Sequence, residues 1–227
     1  MLCSEEDART LRERYGALEC AAVPSGFDPE HFRPSEPPPE RDAKRLLFLG
    51  SMDYGPNVDA AVHFARELLP GLRARRPDVV LEIVGPDATQ EVRALDGDGT
   101  EVVGRVPDVR PYLERAAMLV VPLRIGGGTR LKIVEALAMG TPVASTAIGA
   151  EGLGLEHGRH LVTAPSPGAL VPEIERLLDD PAEARELGRG GREHVHARYP
   201  WSALAGDLFD FWRRVAASCS LPLVGSD

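Results

Sequence analysis

Residues 118–140 read MLVVPLRIGGGTRLKIVEALAMG. Met118 to Pro122 is an unbroken apolar run, which predicts a strand buried on both faces. Gly126-Gly127-Gly128 joins it to a helix predicted over Thr129 to Ala138. Gly140 lies just past that helix, where a residue able to turn left-handed ends it. A short buried strand, a glycine-rich bend and a helix make the repeating unit of a parallel sheet with right-handed crossovers.

The same alternation extends in both directions. Upstream, Leu46 to Leu49 predicts a second doubly buried strand. A helix follows from Asn57, its expected cap, to Arg75. Its apolar positions Val58, Ala61, Val62, Ala65, Leu68, Leu69 and Leu72 follow the 3.6-residue period. Val79 to Val84 and Glu101 to Val103 predict strands, and Thr89 to Leu95 and Pro111 to Ala116 short helices. Downstream, Pro142 to Ser145 and Leu161 to Thr163 predict strands. Helices are expected over Pro167 to Leu178, Pro181 to Arg198 and Trp201 to about Cys219. Near the start, Ser4 to Arg14 reads as a helix, with Ser4 and Asp7 as a capping pair, and Glu19 to Val23 as a short strand. Arg33 to Lys44, with Pro37-Pro38-Pro39, reads as an exposed loop. The fold class is α/β: a single doubly wound, Rossmann-like domain around a parallel sheet.

Composition narrows the function. The net charge is -9, with 26 Lys and Arg against 35 Asp and Glu, which argues against nucleic acid as a partner. Cys3, Cys20 and Cys219 are odd in number and widely spaced, so neither a disulfide framework nor a zinc site is expected and a reducing cytoplasm fits. No segment approaches the length of a membrane span, and the first residues carry no basic and apolar signal pattern.

In open α/β sheets, ligands sit beyond the carboxyl ends of the strands, and the glycines cluster there. Gly50, Gly85 and Gly104 follow predicted strands, and Gly126 to Gly128 and Gly149 with Gly152 follow others. The segment Pro122 to Lys132 is the most informative. Its glycines let backbone approach a ligand, and the next helix offers free N–H groups and its positive end, which suits a phosphate. Arg130 and Lys132 fall in the first turn, where the helix dipole disfavours cations. An anion that draws them together explains their placement. The spacing is not that of a Walker loop. Glu135, set between Val134 and Ala136, is either an ordinary exposed helix residue or a cleft group that accepts hydrogen bonds from sugar or ribose hydroxyls.

Other residues read as packing or surface groups. His194 and His196 stand two apart on a predicted helix and do not face each other, so no metal site is expected. His157 and His160 are placed in a surface loop, and His63 off its helix's apolar stripe. The aromatics of the last helix, Trp201, Phe209, Phe211 and Trp212, read as packing residues.

Taken together, these segments resemble the C-terminal, donor-binding domain of the retaining GT-B glycosyltransferases known as group 1 or GT4. GGGTRLKIVEALAMG (126–140) with TPVASTAIGAEGL behind it is similar to the family's most recognisable stretch. Phe48 to Tyr54 with Pro56-Asn57 resembles the first strand and loop of one subgroup. Gly104 to Val109 resembles the segment that receives the base. Val23 to Asp28 resembles the segment leading from the first domain to the second.

The resemblance implies a nucleoside diphosphate sugar as donor substrate, no metal or other cofactor, and a place in polysaccharide biosynthesis. The family's ribose-binding glutamate falls at Glu135. The motif's first glutamate, separated from it by seven residues, falls at Gly127, and the usual Arg and Lys pair is missing from Ser51 to Pro56. Arg130 and Lys132 are the candidates to supply that charge, and with Glu135 they form the expected catalytic set. The other expected binding residues are Gly50, Ser51, Gly85, Arg105, Val106, Gly126, Gly127, Gly128 and Thr129. The implied division is 1–32 as a remnant of an N-terminal domain, 33–44 as a proline-rich loop, 45–198 as the nucleotide-sugar domain, and 199–227 as a crossing helix and tail. The expected partner is an acceptor-binding N-terminal half or second subunit. Without it, exposed aromatics on the closing helix favour self-association and the chain is expected to be inactive alone. The alternatives are a non-catalytic nucleotide-sugar or partner-binding module, and half of a nucleotide-sugar epimerase.

Overall fold

The computed structural model describes residues 5–16, 20, 22–126 and 130–218. Ser4, Glu19 and Ala21 lie outside them, as do Gly127, Gly128 and Thr129; the described residues of the stretch predicted as a strand over Glu19 to Val23 form no strand, only a single bridge position at Ala22. The first helix, α1, is Glu5–Tyr15.

Six strands form one sheet in the order β3-β2-β1-β4-β5-β6: β1 (Asp42–Leu49), β2 (Val80–Val84), β3 (Thr100–Gly104), β4 (Ala116–Val121), β5 (Val143–Thr146) and β6 (Val162–Ala164). Every neighbouring pair is parallel. β1 pairs Leu46 with Leu81 on one side and with Met118 on the other. All six residues of β4 are buried, as are Leu46 to Leu49 of β1. Helices therefore cover both faces at the sheet centre, which is why these runs carry no polar alternation. β1 starts at Asp42 rather than Leu46, so the end of the proline-rich segment is strand. Strand order reverses between β1 and β4, and that is where a doubly wound sheet opens a crevice.

Helical backbone runs through α2 (Gly55–His63), a π-helical turn (Phe64–Leu68) and α3 (Leu69–Arg75). Pro70 explains the interruption. Its ring would clash with the carbonyl four residues back in a regular helix, and one wider turn avoids the clash. The Leu69 N–H reaches the Phe64 carbonyl instead. The cap of α2 is Tyr54, with Pro56 in the first turn; Asn57, expected to cap this helix, sits inside it and is free for another task.

The remaining helices are α4 (Gln90–Arg93), α5 (Arg110–Arg115), α6 (Leu131–Ala138), α7 (Ala147–Ala150), α8 (Pro167–Asp179), α9 (Pro181–Arg198) and α10 (Trp201–Ser218). Polar side chains fix several starts: Thr89 accepts from Val92 N at 3.3 Å, and Asp180 from Ala182 N and Glu183 N at 3.0 and 2.9 Å. The short α7 was not expected from sequence; Thr146 caps it, taking the Gly149 N–H at 3.1 Å.

One charge sits inside the sheet. Glu82 of β2 is 1 % exposed and is met by Arg45 at 2.9 Å and by Arg115. Two guanidiniums from neighbouring elements offset the cost of taking that carboxylate out of water. Along α10, Leu204 and Phe211 pack inward, whereas Trp201, Phe209 and Trp212 are each more than half exposed. Only Phe211 of those four aromatics is a buried packing residue.

Candidate functional site

At the carboxyl ends of β1, β2 and β4 lies a cleft of about 400 Å³. Gly50, Ser51, Tyr54 and Asn57 line it from the β1 side, Gly85 and Pro86 from β2, and Leu123 and Gly126 from β4. Arg130, Lys132 and Glu135 of α6 complete it, with Val109 at its edge. This is the switch point between the two halves of the sheet.

The three charged residues predicted from sequence meet here. Arg130 is the N-cap of α6, is only 6 % exposed, and donates through Nη2 to the Ile148 carbonyl of α7 at 3.2 Å. Lys132, two residues further on, donates from Nζ to Asn57 Oδ1 at 2.7 Å and lies 5.0 Å from the centre of the Phe48 ring. Burial pushes this ammonium down to about 8; the nearby Arg130 adds to the effect and Glu135 opposes it. Removal from water pushes the Glu135 carboxyl up to about 7, against the pull of Lys132. Cations gathered at a helix start and partly stripped of water are costly in an empty protein, and such perturbed groups in a cleft mark functional sites.

Gly50, Ser51, Gly85 and Gly126 line the cleft as expected sequence candidates. The Ser51 hydroxyl donates to Asp53 at 2.7 Å. Arg105 and Val106 are not brought into the lining. Val106 packs on the core, and Arg105 is exposed and paired with Asp87 at 3.1 Å; Val109 and Pro86 occupy the corresponding edge. Arg124, close to the glycine run in sequence, points away to Asp59 of α2, with Nε 3.0 Å from its carboxylate. Gly127, Gly128 and Thr129 fall outside the described residues.

Asn57, Tyr54 and Leu123 were missed as site residues. For Asn57 the signal was present. Pro56 belongs in the first turn of a helix, so the cap had to precede it and Asn57 had to face something else.

The histidines are structural, and two of the expected surface positions need correction. His160 is buried at 5 % exposure, accepts the Glu156 N–H at 3.0 Å on Nδ1, and lies 4.4 Å from the His194 ring. His63 is half-buried rather than solvent-facing. Burial lowers the pKa of both His160 and His194. His196 packs edge-on against Phe27. Among the described residues, no three His, Cys, Asp or Glu side chains gather as a metal site would require, and no helix is long and apolar enough to cross a membrane.

A larger groove of about 650 Å³ opens at the opposite end of the sheet, under residues 34–41. Its lining is mostly apolar, and its buried cation is already used. Arg41 donates to the carbonyls of Leu113, Glu114 and Ala116 at 2.6, 3.0 and 3.0 Å. The sequence-predicted charged residues gather in the smaller cleft instead.

Residues 43–180 match the family model described as glycosyl transferases group 1. This chain belongs to the group 1 glycosyl transferase family. It is 29% identical over 236 residues to D-inositol 3-phosphate glycosyltransferase 2 of Catenulispora acidiphila, covering 93% of this chain and 55% of that protein. The chain thus spans about half the length of the curated relatives it matches. Among solved structures, it superposes with TM-score 0.63 on the C-terminal domain of a group 1 family protein, LpcC, from Francisella tularensis, at 16% identity. That match covers 78% of this chain and all of that one. It superposes with TM-score 0.76 on Anabaena HepE, at 15% identity, covering 93% of this chain and 62% of that one. The fold is that of the C-terminal half of a GT-B enzyme, as the sequence resemblance implied.

Proposed function

We propose that this chain is the donor-binding half of a glycosyltransferase and holds a nucleoside diphosphate sugar in the cleft between β1 and β4. One observation carries the proposal: two cations and one carboxylate converge on a single cleft at the switch point, each partly removed from water. Arg130 and Lys132 take the diphosphate, with backbone from the Gly126 to Thr129 segment. Glu135 accepts hydrogen bonds from the ribose hydroxyls. The likeness to HepE, a structure solved with UDP and glucose, supports a uridine nucleotide as the first to try.

In retaining transfer the bond from the sugar's anomeric carbon to the diphosphate oxygen breaks and negative charge grows on that oxygen. Cations fixed beforehand, in a site already partly dry, stabilise that charge without having to reorganise. The acceptor hydroxyl is supplied by a second half, as the relatives' greater length suggests. With Arg130 and Lys132 meeting the diphosphate and Glu135 the one acid among the described residues of the lining, no divalent ion is needed, so EDTA should leave donor binding unchanged.

The test is calorimetry with UDP, GDP, ADP and dTDP beside their bare nucleosides. One diphosphate should bind clearly more tightly than its nucleoside. Replacing Arg130 and Lys132 by alanine should erase most of that difference while sparing nucleoside binding. Equal losses for both ligands would refute the assignment.

A further inference from the structure

Lysine is rare in this chain. Lys44 and Lys132 are its only two, against 24 arginines. Lys44 is exposed, 3.4 Å from Asp78. Lys132 has a built seat. Its Nζ touches Asn57 Oδ1 and faces the Phe48 ring, and a Cβ on Gly50 would come within 2.9 Å of it. That space suits one compact ammonium. A guanidinium would have to fit a planar fork of nitrogens, all donors, into the same seat.

Asn57 is 7 % exposed and uses both ends of its amide. Oδ1 accepts from Lys132, and Nδ2 donates to the Ser51 carbonyl at 2.9 Å. One side chain therefore fixes the loop after β1 and reaches across the switch point to the cation on α6. The residue type matters. An amide oxygen stabilises the ammonium yet leaves its charge uncancelled for a ligand, whereas a carboxylate would hold it more strongly and neutralise it.

We propose that Asn57 is a positioning residue that seats Lys132 as the compact cation of the cleft, an inference that rests on the diphosphate-binding function proposed above. The two-lysine composition makes a direct test available. With 13C,15N-labelled lysine the chain gives two sets of side-chain signals, and a Lys44→Arg variant assigns them. Without nucleotide, Asn57→Leu should lower the Lys132 titration midpoint by roughly half a pH unit or more, and Asn57→Asp should raise it by a similar amount. In calorimetry both variants should lose about tenfold of the preference for UDP over uridine, the scale of one charged hydrogen bond. Lowering the pH should restore part of that preference in Asn57→Leu and none in Asn57→Asp. Lys132→Arg should fail to bind UDP normally despite keeping its charge. A midpoint unmoved in both Asn57 variants, or wild-type UDP affinity in Lys132→Arg, overturns the proposal. If Asn57→Leu does not fold, Asn57→Asp and Lys132→Arg decide it. A wild-type chain that binds UDP no better than uridine overturns the diphosphate-binding function instead, while the titration midpoints still judge the seat.

Discussion

A Cβ placed on Gly85 would lie 1.8 Å from the carbonyl oxygen of Gly50, so the loops after β2 and β1 meet backbone to backbone under the cleft. Both glycines have positive φ, +151° and +155°. Gly85→Ala must therefore push backbone apart as well as strain its own, and should cost about 3 kcal/mol in chemical denaturation. Gly50→Ala differs. Its Cβ meets the ends of the Asn57 and Lys132 side chains, at 2.5 and 2.9 Å, which can swing aside. It should lose less stability than Gly85→Ala but more nucleotide affinity. The reverse ranking would mean that the two loops carry fold and site the other way round.

Lys132 and Glu135 should make donor binding bell-shaped in pH. The diphosphate needs the Lys132 ammonium, which is lost as pH rises through about 8. The ribose needs the Glu135 carboxylate, which is lost as pH falls through about 7. Affinity should peak between those values and fall on both sides. UDP-glucose is the suitable probe, because its diphosphate has no terminal group titrating in that range. The two groups interact, so the limbs report the pair rather than either residue alone. A profile flat from pH 6 to 9 would remove both residues from the site.

Glu135→Gln should move stability and binding in opposite directions. A carboxyl whose folded pKa is raised is favoured protonated; its contribution is intact at low pH and is lost as pH rises through about 7. The empty wild-type chain should therefore lose stability as pH rises from about 4.5 to about 7 and stay at the lower level above that, and the glutamine variant should gain on the order of 1–2 kcal/mol over it at pH 8. The same change should weaken ribonucleotide binding by roughly 1–3 kcal/mol and narrow the gap between ribose and 2′-deoxyribose ligands. A variant less stable than wild type at pH 8 would show that Glu135 supports the fold rather than the ligand.

The sheet was legible because its central strands are short and wholly apolar. Leu46 to Leu49 and Met118 to Val121 have no second reading once glycine bends and periodic helices flank them. The π-turn was not, since the 3.6-residue stripe runs through it and only Pro70 marks it. Arg130, Lys132 and Glu135 were legible because they are close in sequence, on one helix beside a glycine run. Their partner Asn57 is 75 residues from Lys132, and nothing local to either residue reveals the pairing. The pairing of Arg124 is hidden for the same reason: its carboxylate, Asp59, is supplied by another element. Glu82 reads as an ordinary strand residue until Arg45 and Arg115 are placed around it. Pairings that depend on which elements the topology brings together are invisible to spacing.

The last expectation is that this chain alone binds donor but makes no glycoside. Transfer needs an acceptor hydroxyl held against the anomeric carbon, and that positioning can supply roughly 7–11 kcal/mol of the barrier. The chain spans about half the length of its curated relatives, and the family resemblance assigns acceptor binding to the other half. The purified chain with UDP-sugar and an acceptor panel should therefore yield no glycoside while nucleotide binding persists. Adding a cognate N-terminal half should restore turnover. The contact has a built-in reporter, because both tryptophans, Trp201 and Trp212, lie exposed on α10. If that helix docks on the added half, their emission should shift to the blue as water leaves the indole rings. Turnover by the isolated monomer would place an acceptor site on this chain. Turnover restored with unchanged emission would leave the division of labour standing and move the contact away from α10.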